Sequence, residues 1–431
     1  MRQLVQPERV RRGPARRPST AQRRLLWCDG AMTSAPNSAS DPQTGSALTE
    51  AQAAELMINW EVAGATAARL APPGPSLTPA QASTEVDALR SAAGEAVGHV
   101  HRITGLAAAE GLGEDLSDVL VVDRSGWSAA NLSSFRSLLA PALKIAVDKK
   151  PELAKDGAAT QVFGSAAAGA ELGGVLAFLS ANVLGQFDPF HTSEQAPAGR
   201  LLLVAPNLVS IAGQLNVDRS DFRLWVCLHE QTHRVQFAAA PWLAEHLQSK
   251  ITELSTSTMG QADTLPQKLA EAAKGLREEM KASKKSSADK AKDTDNDDDG
   301  ARPRNRLLEA IQTPADREIM SHLTAVMSLL EGHANVVMDA VDASIVPTVK
   351  TIRRRFEDRG KSRSPLEKLI RRLLQMDVKA AQYRDGQKFV GHIVAEVGME
   401  QFNTIWDSAD HLPTEEELHD PDRWIQRMEL R

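Results

Sequence analysis

Apolar positions recur at three- and four-residue spacing over most of the chain, the pattern of amphipathic helices. A helical period runs from near Leu48 to Leu70, where Ala71-Pro72-Pro73-Gly74-Pro75 stops it. Further helical periods cover 78–110, about 130–147 and 160–184. Two short apolar runs break the rhythm. Val119 to Val122 predicts a strand ahead of Asp123-Arg124-Ser125-Gly126-Trp127. Leu201-Leu202-Leu203-Val204-Ala205 predicts a second, stopped by Pro206-Asn207. A helix near 207–215 follows. Asp218 and Ser220 are N-cap residues for another that runs to about Ala239 and ends at Pro241. Helices resume at about 314–342 and fill most of the remainder. The pattern predicts a mainly α fold with a small β element.

Three stretches depart from it. Within the first 26 positions of residues 1–48, eight arginines face one acid, Glu8, and Pro, Ser, Gln and Thr follow. Such a segment has too little apolar surface to offset the entropy of ordering, so a disordered tail is expected. Residues 281–305 carry Lys284-Lys285-Ser286-Ser287, then Asp293, Asp295 and Asp297-Asp298-Asp299-Gly300. Counted from Asp293, a calcium loop needs Gly at 298 and Glu at 304. Asp298 and Arg304 stand there, the mark of a solvated, disordered insertion. Val162 to Leu184 comes nearest to a membrane span, but Glu171, Asn182 and several glycines interrupt it. A buried, closely packed helix is expected there, and no membrane span. Residues 49–431 then read as one domain with an insertion at about 281–305.

Composition narrows the function classes. A net charge of −6, from 50 basic and 56 acidic side chains, is unlike a nucleic-acid binder. The runs Arg353-Arg354-Arg355 and Arg371-Arg372 are flanked by Glu357, Asp358 and Glu367 and lack interleaved aromatics, as on a solvated helix face. Cys28 and Cys227 support neither a disulfide framework nor a cysteine-rich zinc site. The arginine-rich start lacks the apolar core of a secretory signal, so a cytoplasmic enzyme is the expectation. Oligomeric state is not readable.

The chemistry concentrates in His229-Glu230-Gln231-Thr232-His233. Histidines four apart share one face of a helix, so two neutral imidazoles can hold one Zn2+ ion from the same side. Glu230, beside the first of them, is angled toward the metal's open position, where it can take a proton from water.

A catalytic zinc takes a third protein ligand. The metzincin spacing needs Gly at 236 and His at 239, and this chain has Gln236 and Ala239. A glutamate from a later helix is the other common solution. Glu331, in Leu329-Leu330-Glu331-Gly332-His333-Ala334-Asn335, fits it, because a carboxylate on so apolar a helix needs a cation. His333 and His322 are rival ligands. Glu331 and His333 point about 200° apart on a helix, so both cannot reach one ion. Asn335, one turn after Glu331, is a candidate to hold a ligand histidine's free N–H. Tyr383 is the only tyrosine and stands in Gln382-Tyr383-Arg384-Asp385-Gly386. Its phenol can assist an oxyanion, with Arg384 as a second candidate.

Several of these stretches together resemble an actinobacterial family of zincin-like metallohydrolases, labelled zinc-dependent metalloproteases or deazaflavin-coenzyme biosynthesis-associated proteins. The resemblance lies in Asp123 to Trp127, Val183-Leu184-Gly185-Gln186-Phe187-Asp188-Pro189, Val204 to Asn207, Asp221-Phe222-Arg223-Leu224-Trp225, His229 to Phe237, Pro241-Trp242-Leu243, Glu331 to Ala334 and Gln382 to Gly386. It spans about residues 58 to 426. It implies a largely helical zincin-like fold, a metal motif at His229 and His233, a base at Glu230 and an acidic motif at Glu331. The family continues with Asp where this chain has Asn335.

The expected function is therefore a zinc metallohydrolase, in the first instance a peptidase cleaving amide bonds with Glu230 as general base. Its partner is a peptide or small amide substrate. A zinc amidase or esterase linked to cofactor metabolism is one alternative. A zinc-stabilised scaffold without activity is another.

Overall fold

A computed structural model describes residues 48–151, 159–193, 198–260, 313–361 and 376–430. The side chains of 159–161, 259–260, 360–361 and 376–384 are not described. The expected tail and the expected insertion at 281–305 lie outside the described residues. The described residues from Leu48 onward cluster as one compact unit.

The fold is mainly helical with a three-stranded sheet. The period expected as one helix over 48–70 is two, α1 (Glu50–Met57) and α2 (Trp60–Leu70). They part at Asn59, whose side chain accepts from the Val62 N–H at 2.9 Å and so starts a new helix. Helix α3 (Pro79–Thr104) opens with a Thr78/Gln81 capping box and ends at Gly105, in the left-handed region at φ 67°. Helix α4 (Arg124–Lys149) starts earlier than the apolar period suggests, because the Asp123 carboxylate accepts from the Gly126 N–H.

Strand β1 (Val119–Val122) runs parallel to β3 (Arg200–Val204), and β2 (Gly185–Asp188) pairs antiparallel on the other side of β3. Val119 faces Leu201 and Gly185 faces Leu203. Every residue of β3 is buried, as its continuous apolar run implies. Strand β2 carries no alternation of its own and is legible only through its pairing.

Helix α5 (Ala159–Ser180) lies on α2. A Cβ on Gly169 or Gly173 would come within 2.3 or 2.4 Å of the Asn59 and Ala63 carbonyl oxygens. Close packing through glycine is as expected, but burial is not: only 22% of Val162–Ser180 is buried, and Phe163 is 74% exposed. By length and composition that stretch suffices to cross a membrane. Its only charge is Glu171, and Asn182 falls beyond the helix end.

Helices α6 (Ala205–Leu215), α7 (Arg219–Ala239) and α8 (Leu243–Gly260) follow β3. Then come α9 (Pro314–Ala340), α10 (Val349–Lys361) and α11 (Met376–Phe402), the last interrupted at Gly398 with φ 86°. Short helices α12 (Glu415–His419) and α13 (Pro421–Arg427) close the chain. Helix α7 packs against α3 and α9, and α9 packs against α11.

Buried polar bonds fix α7 in place. Arg223 grips Glu85 of α3 with two bonds of 2.7 and 2.9 Å, and Gln231 donates to the Ala93 carbonyl. Arg234 grips Asp118, just ahead of β1, at 2.7 and 2.8 Å. Cys227 is buried on the same helix, and burial raises its thiol pKa, as suits an inert core residue. Arg124 donates to Asn207, whose amide in turn donates to the carbonyls of Ser180 and Val183. The chain segments entering β2 and leaving β3 are thereby tied together.

Candidate metal centre

Helix α7 presents His229 and His233 on one face, one turn apart. Their Nε2 atoms are 3.3 Å apart and the rings meet edge to face. The Glu331 carboxylate of α9 stands 3.7 Å from His229 Nε2 and 3.8 Å from His233 Nε2. One ligand atom from each residue lies within 4.8 Å of the others. Two imidazoles bound tetrahedrally to zinc have nitrogens about 3.4 Å apart, so the donor set fits. Burial pushes the His229 pKa down to about 4; the His233 ring adds to this and Glu331 opposes it. His229 is therefore neutral at pH 7, with a lone pair free for a metal.

Glu331 reaches α7 because α9 and α11 cross almost backbone to backbone. A Cβ on Gly332 would fall 2.2 Å from the Gly386 carbonyl carbon, and one on Gly386 would fall 1.8 Å from the Ser328 oxygen. The two glycines are neighbours across this crossing, and Glu331 precedes one of them.

The sequence points to Asn335 as the support for a ligand histidine, and the structure gives that place to Gln236. Its Oε1 lies 2.9 Å from His233 Nδ1, and its Nε2 donates to the Leu330 carbonyl at 2.9 Å. That carbonyl can only accept, so the amide orientation is settled. His233 Nδ1 must then carry the proton, and its Nε2 lone pair faces His229 and Glu331. Asn335 instead lines the adjoining cavity, because its place one turn beyond Glu331 leads along α9. Gln236→Ala should lower zinc affinity roughly 10–100-fold, measured by competition with a chelator. Unchanged affinity would remove Gln236 from the site.

His333 is turned away from the three donors. Its Nδ1 accepts from Gln236 Nε2 at 2.9 Å, and its ring lies against Phe402 and Trp406. Burial, with His233 nearby, pushes its pKa down to about 3, so it stays neutral. His322 pairs with His246 at 2.7 Å, on another part of α9. Neither rival joins the three donors. Tyr383 and Arg384 belong to α11, and their side chains lie outside the described residues.

Glu230 is buried, and Gly185 of β2 makes room for it. A Cβ at Gly185 would come within 2.6 Å of Glu230 Cγ. Burial first, and then the Glu331 charge, push the Glu230 pKa up to about 8. In the metal-free protein at pH 7 this carboxyl is mostly protonated, and a bound dication reverses the field on it. Zinc binding at pH 7 should thus release about one proton, a release that Glu230→Gln abolishes. Calorimetry in buffers of different ionisation enthalpy measures this. Equal release by wild type and variant would assign the proton elsewhere.

His229 and Glu230 border a cavity of about 520 Å³, walled by Leu184, Trp225, Met338 and Phe356 and edged by the Asp339–Arg353 ion pair. Trp225 and Phe356 lie ring to ring at 5.2 Å. Gln236, Gly185 and Gly386 escape a reading for chemistry because each acts through a tertiary contact.

A zincin-like metallopeptidase family model matches residues 58–425. A solved structure from Chloroflexus aurantiacus, described as "a putative hydrolase with a novel fold", is 26% identical. The match covers 87% of this chain and 99% of that one, with a TM-score of 0.56. No curated protein matches. A match over this share of the chain places it in a family whose members imply a metal, typically zinc, and a hydrolytic reaction. With two histidines and a glutamate already gathered on α7 and α9, the chain belongs to the zincin-like metallopeptidase family.

Proposed function

We propose that the protein is a zinc-dependent peptidase acting on a peptide substrate. The observation that carries this is the position of Glu230: on the wall of the cavity and beside three donors spaced for one zinc ion. Zinc held by His229, His233 and Glu331 would supply a Lewis acid that polarises a carbonyl and makes water more acidic. Glu230 takes the proton from the attacking water on a carboxylate oxygen and returns it to the departing nitrogen. The apolar walls from Trp225, Leu184, Met338 and Phe356 lower the local dielectric and strengthen these charge interactions. Tyr383 is the proposed oxyanion donor.

The test is cleavage of an unbiased peptide library by the zinc-loaded protein, with and without a chelator. Chelator-sensitive cleavage of extended peptides supports a peptidase. Turnover confined to small amides or esters supports instead a hydrolase tied to cofactor metabolism. No turnover, with four protein ligands around zinc by coordination spectroscopy, would mean a structural metal.

A further inference from the structure

We propose that His246 of α8 and His322 of α9 form a second metal site, one that takes a divalent late transition ion such as zinc. The two rings come from different helices, yet their Nε2 atoms point at each other across 2.7 Å. The ring centroids are 5.0 Å apart and the planes meet at 75°. No carbonyl or carboxylate among the described residues holds either Nδ1, so each ring is free to keep its proton there and offer Nε2.

Bound to one zinc ion the two nitrogens stand about 3.4 Å apart, and the central pair already shows 3.3 Å. The His246–His322 pair must open by about 0.7 Å. Both rings are only partly buried, so a small side-chain rotation achieves this. The same surface hollow that holds His246 is lined by Glu245, Ser249 and Asp407. Among the described residues neither carboxylate is engaged in an ion pair or side-chain hydrogen bond. Among the described residues no carboxylate joins the two rings in a three-ligand group, so the donor set is two imidazoles completed by water, with Glu245 and Asp407 as nearby counter-charges. Imidazole donors suit zinc, nickel or copper better than calcium or magnesium. Burial lowers the pKa of both histidines; His246 and then Lys250 add to this at His322, and Lys250 adds to it at His246, so both are neutral and able to ligate at pH 7. Lys250 is itself paired with Glu253 at 3.0 Å, which limits its repulsion of a cation.

The position gives such an ion a structural consequence. The two histidines are 76 residues apart, one before and one after the charged stretch at 281–305. An ion bound to both ties α8 to the helix that carries Glu331.

Equilibrium dialysis of the full chain against zinc, followed by metal analysis, tests the site. Wild type should bind two ions per chain. His246→Gln and His322→Asn should each bind one, with the central ion and any hydrolysis retained. A His229→Gln/His233→Gln variant should keep the other one. A wild-type protein that binds a single ion, lost on changing His229 and His233, would overturn the second site while leaving the central one intact. Two ions in both His246→Gln and His322→Asn would overturn it as well, by placing the second ion elsewhere. Circular dichroism on each variant separates loss of a ligand from loss of fold.

Discussion

With Glu230 changed to glutamine, the protein should still bind its central zinc and should lose hydrolysis by at least two to four orders of magnitude in kcat, the usual worth of a positioned general base. Glutamine matches glutamate in shape, so the space that Gly185 leaves for residue 230 is filled as before. The three donors are on other residues, and metal content should be unchanged. The amide cannot accept a proton from water at neutral pH. An interaction used only in the transition state lowers kcat and kcat/KM together and leaves KM close to its wild-type value. Zinc content by metal analysis and initial rates on the best peptide from the library give the answer. A variant with full zinc and undiminished kcat would reject Glu230 as the base. One that lost zinc would show that Glu230 belongs to the donor set.

The second large effect is expected at the crossing of α9 and α11. Gly386→Ala puts a methyl carbon where the Ser328 oxygen lies 1.8 Å away, and Gly332→Ala puts one 2.2 Å from the Gly386 carbon. Both contacts are with backbone, which cannot swing aside as a side chain can. The helices must separate by more than an ångström, opening a core that includes Leu329, Phe389 and Val390. Overpacking of this kind costs roughly 1–3 kcal/mol, and more where backbone is struck. Glu331 sits next to Gly332, so the same displacement draws its carboxylate from the imidazoles. Either substitution should lower the melting temperature by a few degrees, on the order of 1 °C per kcal/mol for a chain of this size. It should also weaken zinc binding. Gly391→Ala on the same helix is the control, since nothing lies within 4 Å of its added carbon. That change should be neutral or slightly stabilising, because alanine favours helix. Wild-type melting and zinc affinity for Gly386→Ala would refute a backbone-limited crossing.

Much of the architecture was legible along the chain. Val119–Val122 and the Leu201 run are strands at the expected places because a continuous apolar run between turn residues has few other uses. Asp218 caps α7 as expected, because a short acidic side chain ahead of an apolar helix meets its free N–H groups. The break at Asn59 is invisible in the pattern, since a cap inside a helical period changes no periodicity. The exposure of α5 is likewise not legible, because apolar content does not say whether a second layer covers the outer face of a helix.

The same division holds at the metal centre. Four-residue spacing alone puts His229 and His233 on one side of a helix, and apolar surroundings alone make Glu331 in need of a cation. These follow from helix geometry and the cost of burying charge, both local to the sequence. Which residue orients His233 did not follow. Gln236 and Asn335 are each one turn from a donor. Only the approach of α9 to α7, allowed by the glycine crossing with α11, puts the Leu330 carbonyl where it turns the Gln236 amide toward His233. The high Glu230 pKa likewise comes from burial beneath β2 and from a carboxylate 101 positions away in sequence, neither of which a local pattern contains. The chain by itself determined which groups can carry the chemistry. Long-range packing decided which of them meet, because contact across elements depends on backbone separations that no local periodicity encodes.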